Sequence, residues 1–414
     1  MKSYSSIGRG LLAGAAMSLT ACNMDVINPG VIDAAHFDPS SDAATLSLSA
    51  QSNFYKAYTS SVYWSAFFSG EAIPGAVRQE TNDVGRRVAT SSTSDVGNAW
   101  GNLQRSLATN ELTVQSLASG ANAASDIHLA RAYMNAGFSL VLLAETYCQG
   151  TILAGAPLTP AQMLDSAIVR FKQAVAIGGA AAAAGVTEGT KVVNASNVGI
   201  ARASLQKKDY ASAASFAALV PATFVYNAVT VDDASNRALG NGTYAYDIGG
   251  KLIVVPDAYR ALNDPRVAWK DALTKAQDTG LEYYQQLKYT GYANPIRVAS
   301  GLEASYIAAE AALQTGNSAP ALSLIAARRA ANGQPVFSGS ASAAILAELM
   351  DQRAREFWLE MKHLGDWQRN PTATPYVGAP GASYYKPVQG AFGTATCLPV
   401  PISEITANPN FPKS

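Results

Sequence analysis

The densest set of side chains that could perform acid–base chemistry lies between Gln352 and Arg369. Glu356 and Glu360 are four residues apart, a spacing that places two carboxylates on one face of a helix and suits ion pairs with neighbouring cations. A retaining glycosidase instead needs two carboxyl groups about 5–5.5 Å apart across a cleft, normally from different elements. We therefore predict that residues 352–369 form one helix whose charges are structural.

Other catalytic and metal-binding patterns are missing from the sequence. The histidines His36, His128 and His363 do not have the spacing of metal ligands, and no Gly-x-Ser-x-Gly motif or glycine-rich phosphate loop occurs. The 30 Lys and Arg residues balance the 30 Asp and Glu residues, so the clustered positive charge that nucleic acid requires is absent from the composition. We predict no enzyme activity, no metal, no cofactor and no nucleic-acid partner.

Aromatic side chains are the remaining candidates, and their chemistry is binding. A sugar ring presents an apolar C–H face that lies flat on a Trp or Tyr ring, while its hydroxyl groups need Asn, Asp, Gln or Arg beside it. The candidates come from a Gly- and Asn-rich stretch and from the C-terminal tail: Tyr283, Tyr284, Tyr289, Tyr292, Asn294, Arg297, Tyr384 and Tyr385. Another dense cluster, Tyr63-Trp64 with Phe67-Phe68, has helical spacing and is predicted to lie in the core.

Residues 1–21 have the pattern of a bacterial lipoprotein signal peptide. Lys2 and Arg9 precede a short apolar run, and Leu19-Thr20-Ala21-Cys22 resembles a lipobox. The run is too short to cross about 30 Å of hydrocarbon, and no other window approaches the length of a membrane span. We predict that Cys22 is acylated and anchors the mature chain to a membrane; a secreted protein with a chance cysteine is the alternative.

Two cysteines, Cys148 and Cys397, remain once Cys22 is acylated. An exported protein lies in an oxidising compartment, where disulfides persist. A Cys148–Cys397 disulfide and two buried free thiols are equally compatible with the sequence, because bonding requires Cα atoms within about 7 Å.

Helical periodicity dominates the chain after a proline-containing tether at residues 22–41. Apolar and small residues at three- and four-residue steps predict a helix over residues 126–147. Residues 159–162, Thr-Pro-Ala-Gln, have the form of a capping box and predict a second helix that the glycines at 178–179 should end. Strand-like alternation is rare, and residues 251–255 are its best case.

An internal repeat indicates how the helices are arranged. Residues 201–213 align without gaps with residues 309–321, and each copy contains a small-residue helix, a polar turn and another small-residue helix. This pattern is typical of tetratricopeptide-like hairpins, which stack on their neighbours. We predict a mainly α fold: an N-terminal helical part at 42–224, an irregular loop-rich inserted subdomain at 225–297, and further hairpins with an irregular tail at 298–414.

Several motifs together resemble the SusD/RagB family of outer-membrane nutrient-binding lipoproteins. The resemblance covers most of the mature chain and depends on the number and order of the motifs. They are Trp100–Asn110, Leu129–Tyr133, Asp264-Pro265-Arg266, Ala308-Ala309-Glu310-Ala311, Gln352–Arg369 and Leu398-Pro399-Val400-Pro401-Ile402 leading to Asn408-Pro409. The chain departs from the family pattern at Gln352, Met361, His363 and Trp367, where the family has Glu, Gly, Arg and Leu.

The resemblance implies a lipid-anchored tetratricopeptide-like scaffold, exposed on the outer membrane. It implies capture of an oligomeric nutrient, usually a glycan, delivery to a TonB-dependent SusC-like transporter, and no catalysis. Two other functions stay open at this point. A tetratricopeptide-type envelope scaffold would bind protein partners through a groove of small and polar residues, and a surface glycosidase would need a pair of facing carboxylates.

Overall fold

The computed structural model describes residues 38–412 of the chain. The chain divides into two compact units, residues 1–42 and residues 43–414, and the account below concerns the second, together with the helix that begins at Pro39. The predicted signal peptide, the predicted acylation site Cys22 and most of the predicted tether lie outside the described residues.

Fourteen α-helices lie within residues 38–412, and the prediction of a mainly α fold is confirmed. Their bounds are α1 Pro39–Ser69, α2 Gln79–Gly85, α3 Ser94–Leu117, α4 Ile127–Thr146, α5 Pro160–Ala183, α6 Thr187–Gln206, α7 Tyr210–Ala217, α8 Gly242–Ile248, α9 Asp257–Arg260, α10 Gly301–Gln314, α11 Ala319–Ala331, α12 Ser342–Glu356, α13 His363–Arg369 and α14 Ile402–Ala407.

The two copies of the internal repeat are the hairpins α6–α7 and α10–α11, and helix α7 of the first packs on α10 of the second. Lys208 and Gly316 occupy the same position in the two turns, and both have a positive φ, of 63° and 92°. That conformation ends each first helix. Asp209 then caps the start of α7 by accepting a hydrogen bond from the backbone N–H of Ser212, at 3.1 Å. The predicted hairpins are therefore confirmed.

Helix α4 matches the predicted helix and lies in the core between α3 and α5. Asp126 caps it by accepting a hydrogen bond from the N–H of His128, at 2.8 Å. By length and composition α4 would be long and apolar enough to cross a membrane, contrary to expectation, but 83% of its most apolar window is buried inside the protein. The ring of Phe171, from α5, packs edge-on against Phe138 of α4, with 4.9 Å between centroids.

Helix α5 begins at the predicted capping box, with Pro160 at its first position, but it does not end at Gly178-Gly179. It continues to Ala183, so that part of the prediction is wrong. The reason is the close crossing of α6, because a Cβ on Gly189 would lie 2.4 Å from the carbonyl oxygen of Gly178. Glycines inside a helix cost about 1 kcal/mol each relative to alanine, and here Gly178 and Gly189 permit two backbones to touch.

Strands are more numerous than predicted and fall mainly within residues 225–300. They are β1 Ile73–Pro74, β2 Val225–Ala228, β3 Ile253–Val254, β4 Trp269–Lys275, β5 Glu282–Gln286 and β6 Ile296–Ser300. One sheet has the antiparallel order β1-β3-β5-β4, and β2 pairs with β6 around a bulge. Strand β3 lies inside the predicted strand region.

The predicted single helix over residues 352–369 is wrong, because α12 ends at Glu356 and α13 begins at His363. Between them, Leu359 and Met361 adopt positive φ angles of 55° and 57°, which no helix contains. We call residues 357–362 the central turn. Its residues are buried, and side chains from other elements bind its backbone.

Four side chains donate to successive carbonyl groups of the central turn. They are Lys288 to Trp358, Tyr289 to Leu359, Tyr58 to Glu360 and Arg202 to Met361. The Glu71 carboxyl group accepts from the Leu359 N–H at 3.0 Å. Each of these bonds satisfies a buried backbone group that a helix would have satisfied internally, so tertiary contacts replace the helix here.

A disulfide joins Cys148 to Cys397, with Cα atoms 5.2 Å apart, which is one of the two alternatives that the sequence left open. It lies where the C-terminal tail crosses the end of α4. The backbone reinforces the crossing, because the Leu398 N–H donates to the Thr146 carbonyl at 2.8 Å and the Cys148 N–H donates to the Leu398 carbonyl at 2.9 Å.

Candidate functional site

Three of the predicted ligand-binding tyrosines are buried, each with at most 4% of its surface exposed: Tyr283, Tyr289 and Tyr384. Tyr283 donates to Asp247 at 2.9 Å, and Tyr289 donates to the Leu359 carbonyl at the same distance. Burial raises the pKa of the Asp247 carboxyl to about 6. These rings therefore support the surrounding elements, and little of their surface is accessible.

Arg297 and Asn294 also have partners within the protein. The Arg297 guanidinium binds Glu360 at 2.9 Å and donates to the Glu356 carbonyl at 3.0 Å. The side-chain oxygen of Asn294 accepts from the backbone N–H groups of Thr290 and Gly291, each at 2.7 Å, and so holds the turn between β5 and β6. Both predicted binding residues thus shape the backbone.

Tyr292 is half-buried and belongs to a separate aromatic group. Its ring meets that of Tyr244 edge-on, with 5.0 Å between centroids, and the Arg237 guanidinium lies over it at 4.2 Å. Tyr292 therefore lies in a different aromatic group from Tyr284 and Tyr385.

Tyr284 and Tyr385, which are distant in sequence, converge on the outer part of the four-stranded sheet. Both pack against the same small apolar cluster, which includes Ile73, Val254 and Tyr283. Tyr385 lies 5.4 Å from Phe392, and burial raises its pKa to about 12. The ring of Tyr284 also lies beside Trp269 and the Arg260 guanidinium.

Antiparallel pairing of β4 with β5 positions Trp269 beside Tyr284. Trp269 stands opposite Gln286, so Tyr284 is its diagonal neighbour two residues along, on the same face of the sheet. The two rings meet nearly at right angles, 87°, with 5.8 Å between centroids. Both side chains are half-buried, and therefore part of each ring is available to a ligand.

The charged side chains beside these rings come from α9. The guanidinium of Arg260 lies 3.4 Å from the centroid of Tyr284 and 5.5 Å from that of Trp269, which is cation–π geometry. Arg260 also binds Asp257, whose side chain is 92% exposed. We call Asp257, Arg260, Trp269 and Tyr284 the sheet platform.

The chemistry of the sheet platform suits a ligand with both apolar and hydroxyl surfaces. The rings offer apolar faces, the Asp257 carboxylate accepts hydrogen bonds, and the Arg260 guanidinium donates them in a fixed plane. Stacking on the rings holds that plane in place. The arrangement can bind and orient a ligand, and it contains no nucleophile paired with a base.

Sequence reasoning found Tyr284 but missed Trp269, Arg260 and Asp257. Two polar-alternating runs flank Asp278-Thr279-Gly280, a turn signal that predicts a hairpin and would have placed Trp269 beside Tyr284. In the structure this turn is closed by a hydrogen bond from the Leu281 N–H to the Asp278 carbonyl, at 3.0 Å. No local sequence pattern predicts that α9 lies beside this hairpin.

The carboxylates that the sequence singled out are fully engaged in ion pairs. Glu360 binds Lys288 at 2.7 Å and Arg297 at 2.9 Å, and these cations keep the pKa of Glu360 below its usual value. Glu356 binds Arg328 at 2.7 Å. These ion pairs join different elements of the fold, and the predicted spacing of the two carboxylates along one helix face does not produce them. Among residues 38–412 no group of His, Cys, Asp and Glu has the arrangement of a metal site.

No protein-family model and no curated protein matches the sequence. Solved structures do match. A SusD superfamily protein from Bacteroides vulgatus ATCC 8482 is 16% identical, with a TM-score of 0.63, and 90% of this chain and 98% of that one are covered. Surface glycan-binding protein A from Bacteroides thetaiotaomicron, in complex with laminarihexaose, is 12% identical, with a TM-score of 0.67. Surface glycan-binding protein A from Bacteroides uniformis is 11% identical, with a TM-score of 0.69. Both matches also cover 90% of this chain and 98% of the other chain.

These likenesses establish the fold. The chain has the fold of SusD superfamily proteins over nine-tenths of its length, and the resemblance that its sequence motifs carry is confirmed at that level.

Proposed function

We propose that this protein binds an oligomeric nutrient, and specifically a glycan, without altering it chemically. The observation that carries the proposal is the sheet platform, where Trp269 and Tyr284 stand beside an Asp257–Arg260 pair. A sugar ring would lie with its C–H face on the exposed part of the rings and exchange hydroxyl hydrogen bonds with the charged pair. Solved proteins of the same fold that are surface glycan-binding proteins support this assignment.

Delivery is the second part of the proposal. Acylation of Cys22 would hold the protein on the outer membrane, facing outwards, and a TonB-dependent SusC-like transporter would take up the captured oligomer. Support comes from the lipobox-like Leu19-Thr20-Ala21-Cys22 and from the shared fold. The expected partners are thus a glycan, a lipid bilayer and a β-barrel transporter. Recovery of a large β-barrel protein with the intact lipoprotein, and its loss in a Cys22→Ala variant, would test delivery separately from binding.

A glycan array followed by titration calorimetry tests the platform. For any oligosaccharide that binds, Trp269→Ala should weaken affinity about 30-fold, since a central Trp in an interface contributes about 2 kcal/mol. Phe216→Ala is the matched control, because it removes a half-buried ring from α7, away from the platform. Unchanged affinity in Trp269→Ala would refute the platform as the binding site, and release of reducing ends by the wild type would refute binding without catalysis.

A further inference from the structure

A cavity that shares no residue with the sheet platform lies where the C-terminal tail meets helices α4, α5, α6 and α13. Its volume is about 330 Å³. Pro160 and Ala161 supply apolar surface, and Cys397 of the tail lines it too. Ligand pockets usually measure about 300–1,000 Å³, so this cavity is large enough for one small ligand or for the terminal unit of an oligomer.

The wall that the tail contributes is held in place before any ligand arrives. We call residues 396–398 the strap. The disulfide fixes the middle of the strap, and backbone hydrogen bonds with Thr146 and Cys148 fix Leu398. The side-chain amide of Gln368 donates to the Thr396 carbonyl at 2.8 Å and to the Glu145 carbonyl at 2.8 Å. A preformed wall lowers the entropic cost of binding.

Two glutamine amides reach the cavity with hydrogen-bonding capacity left over. The Gln206 amide donates one hydrogen to the Gln368 oxygen at 3.2 Å, and the Gln206 oxygen accepts from Arg369 at 2.8 Å. One N–H of Gln206 and a lone pair on each amide oxygen remain without a partner among the described residues. The hydroxyl of Thr396 likewise has no such partner. The cavity therefore presents donors and acceptors together.

The only charged side chain lining the cavity is Lys207, and Asp165 pairs with it. An anion would gain from Lys207 but would face the lone pairs of two amide oxygens and the carboxylate of Asp165. An ammonium group, which only donates, would face Lys207. A hydroxyl group both donates and accepts, and it is the group that fits every free position.

We propose that this cavity is a second binding site, for a neutral hydroxylated ligand of about the size of one pyranose ring. The apolar patch contributed by Pro160 and Ala161 would face the C–H groups of the ring, and Gln206, Lys207, Gln368 and Thr396 would bind its hydroxyl groups. The site is independent of the sheet platform.

The test measures saturation transfer in NMR from the intact protein to methyl glucoside and methyl galactoside, with glucuronate and glucosamine as charged comparators. Trp269→Ala serves as the background, because it disables the sheet platform. We expect the neutral probes to bind this background, and to bind at least about tenfold more weakly when Thr396→Val and Lys207→Met are added. Thr394→Val with Lys172→Met is the matched control, since both residues are exposed and neither lines the cavity.

Three results would overturn the second site. They are binding of neutral probes that the Thr396→Val, Lys207→Met pair leaves unchanged, preference for glucuronate or glucosamine over the neutral probes, and absence of all binding in the Trp269→Ala background. The last result, found together with binding by the wild type, would assign the sugar to the sheet platform alone, so the two sites are tested separately.

Discussion

The disulfide between Cys148 and Cys397 should contribute strongly to the stability of the fold. The bond closes a loop of 249 residues in the unfolded chain. The loop-closure relation gives an entropy of about 18.5 cal/mol/K for that length, or about 5.5 kcal/mol at 25 °C. Measured values usually fall below this relation, so we expect a loss of about 3–5 kcal/mol in a Cys148→Ala, Cys397→Ala variant.

The origin of this loss is testable because the relation assigns it to the unfolded state. In the native variant, the Leu398 N–H still has the Thr146 carbonyl to bind, at 2.8 Å in the structure. The amide of Leu398 should therefore stay protected from hydrogen exchange under native conditions, while the free energy of unfolding in urea falls. Reducing agent should lower the wild-type value to that of the variant and leave the variant unchanged.

Two outcomes would refute this reasoning. If two free thiols titrate in the denatured, unreduced protein, the bond does not form. If the variant loses less than about 1 kcal/mol although the bond forms in the wild type, the loop-closure argument fails for this chain.

Other contacts give three further predictions, two of them with a control substitution. Arg202→Met should cost about 3–5 kcal/mol in urea unfolding, because it leaves the buried Glu145 carboxylate without its cation, whereas Lys207→Ala, at an exposed pair, should cost less than about 1 kcal/mol. Gly199→Ala should lower the free energy of unfolding by about 1–3 kcal/mol, since its Cβ would lie 2.3 Å from the ring of Phe171. Gly179→Ala has no atom within 4 Å of the added Cβ and should raise the free energy of unfolding by up to about 1 kcal/mol. A lower value for Gly179→Ala would contradict the packing argument. Burial raises the pKa of Glu71 to about 8 from 4.5, so its stabilising contribution is complete below pH 4.5 and is lost as pH rises through 8. The melting temperature of Glu71→Gln should therefore vary less between pH 5 and 8 than that of the wild type, and equal slopes would refute this assignment.

Patterns carried by neighbouring residues were sufficient to predict most of the scaffold. The capping box at Thr159 and the polar turns at Lys208 and Gly316 are local signals, because each depends on atoms within four residues along the chain. The same local reasoning identified Tyr63 and Trp64 as core residues, and both are buried. No local signal distinguished Tyr284 from Tyr283, because strand alternation sends adjacent side chains to opposite faces, and the sequence does not say which face is covered.

The failures have a common physical cause, which is competition between local and tertiary contacts. The glycines at 178–179 are a stop signal only where nothing crosses the helix, and here α6 passes so close to Gly178 that glycine is the residue that fits there. The central turn is the stronger case. Residues 352–369 have the charge spacing of a helix, yet four side chains from other elements bind the carbonyl groups of the central turn. These hydrogen bonds hold Leu359 and Met361 in unfavourable backbone conformations with positive φ.

The central turn also connects the sheet platform with the helical scaffold. Strand β5, which carries Tyr284, leads directly to Lys288 and Tyr289, whose side chains bind the carbonyl groups of Trp358 and Leu359. On its other side, the turn is bound by Tyr58 of α1 and by Arg202 of α6, the first helix of a repeat hairpin. A ligand on the platform therefore meets a strand tied to the core within a few residues, so little ordering should accompany binding. A Tyr289→Phe variant, which lacks the hydroxyl group, would test this connection, since it should weaken oligosaccharide binding although the residue is buried; unchanged affinity would refute the connection.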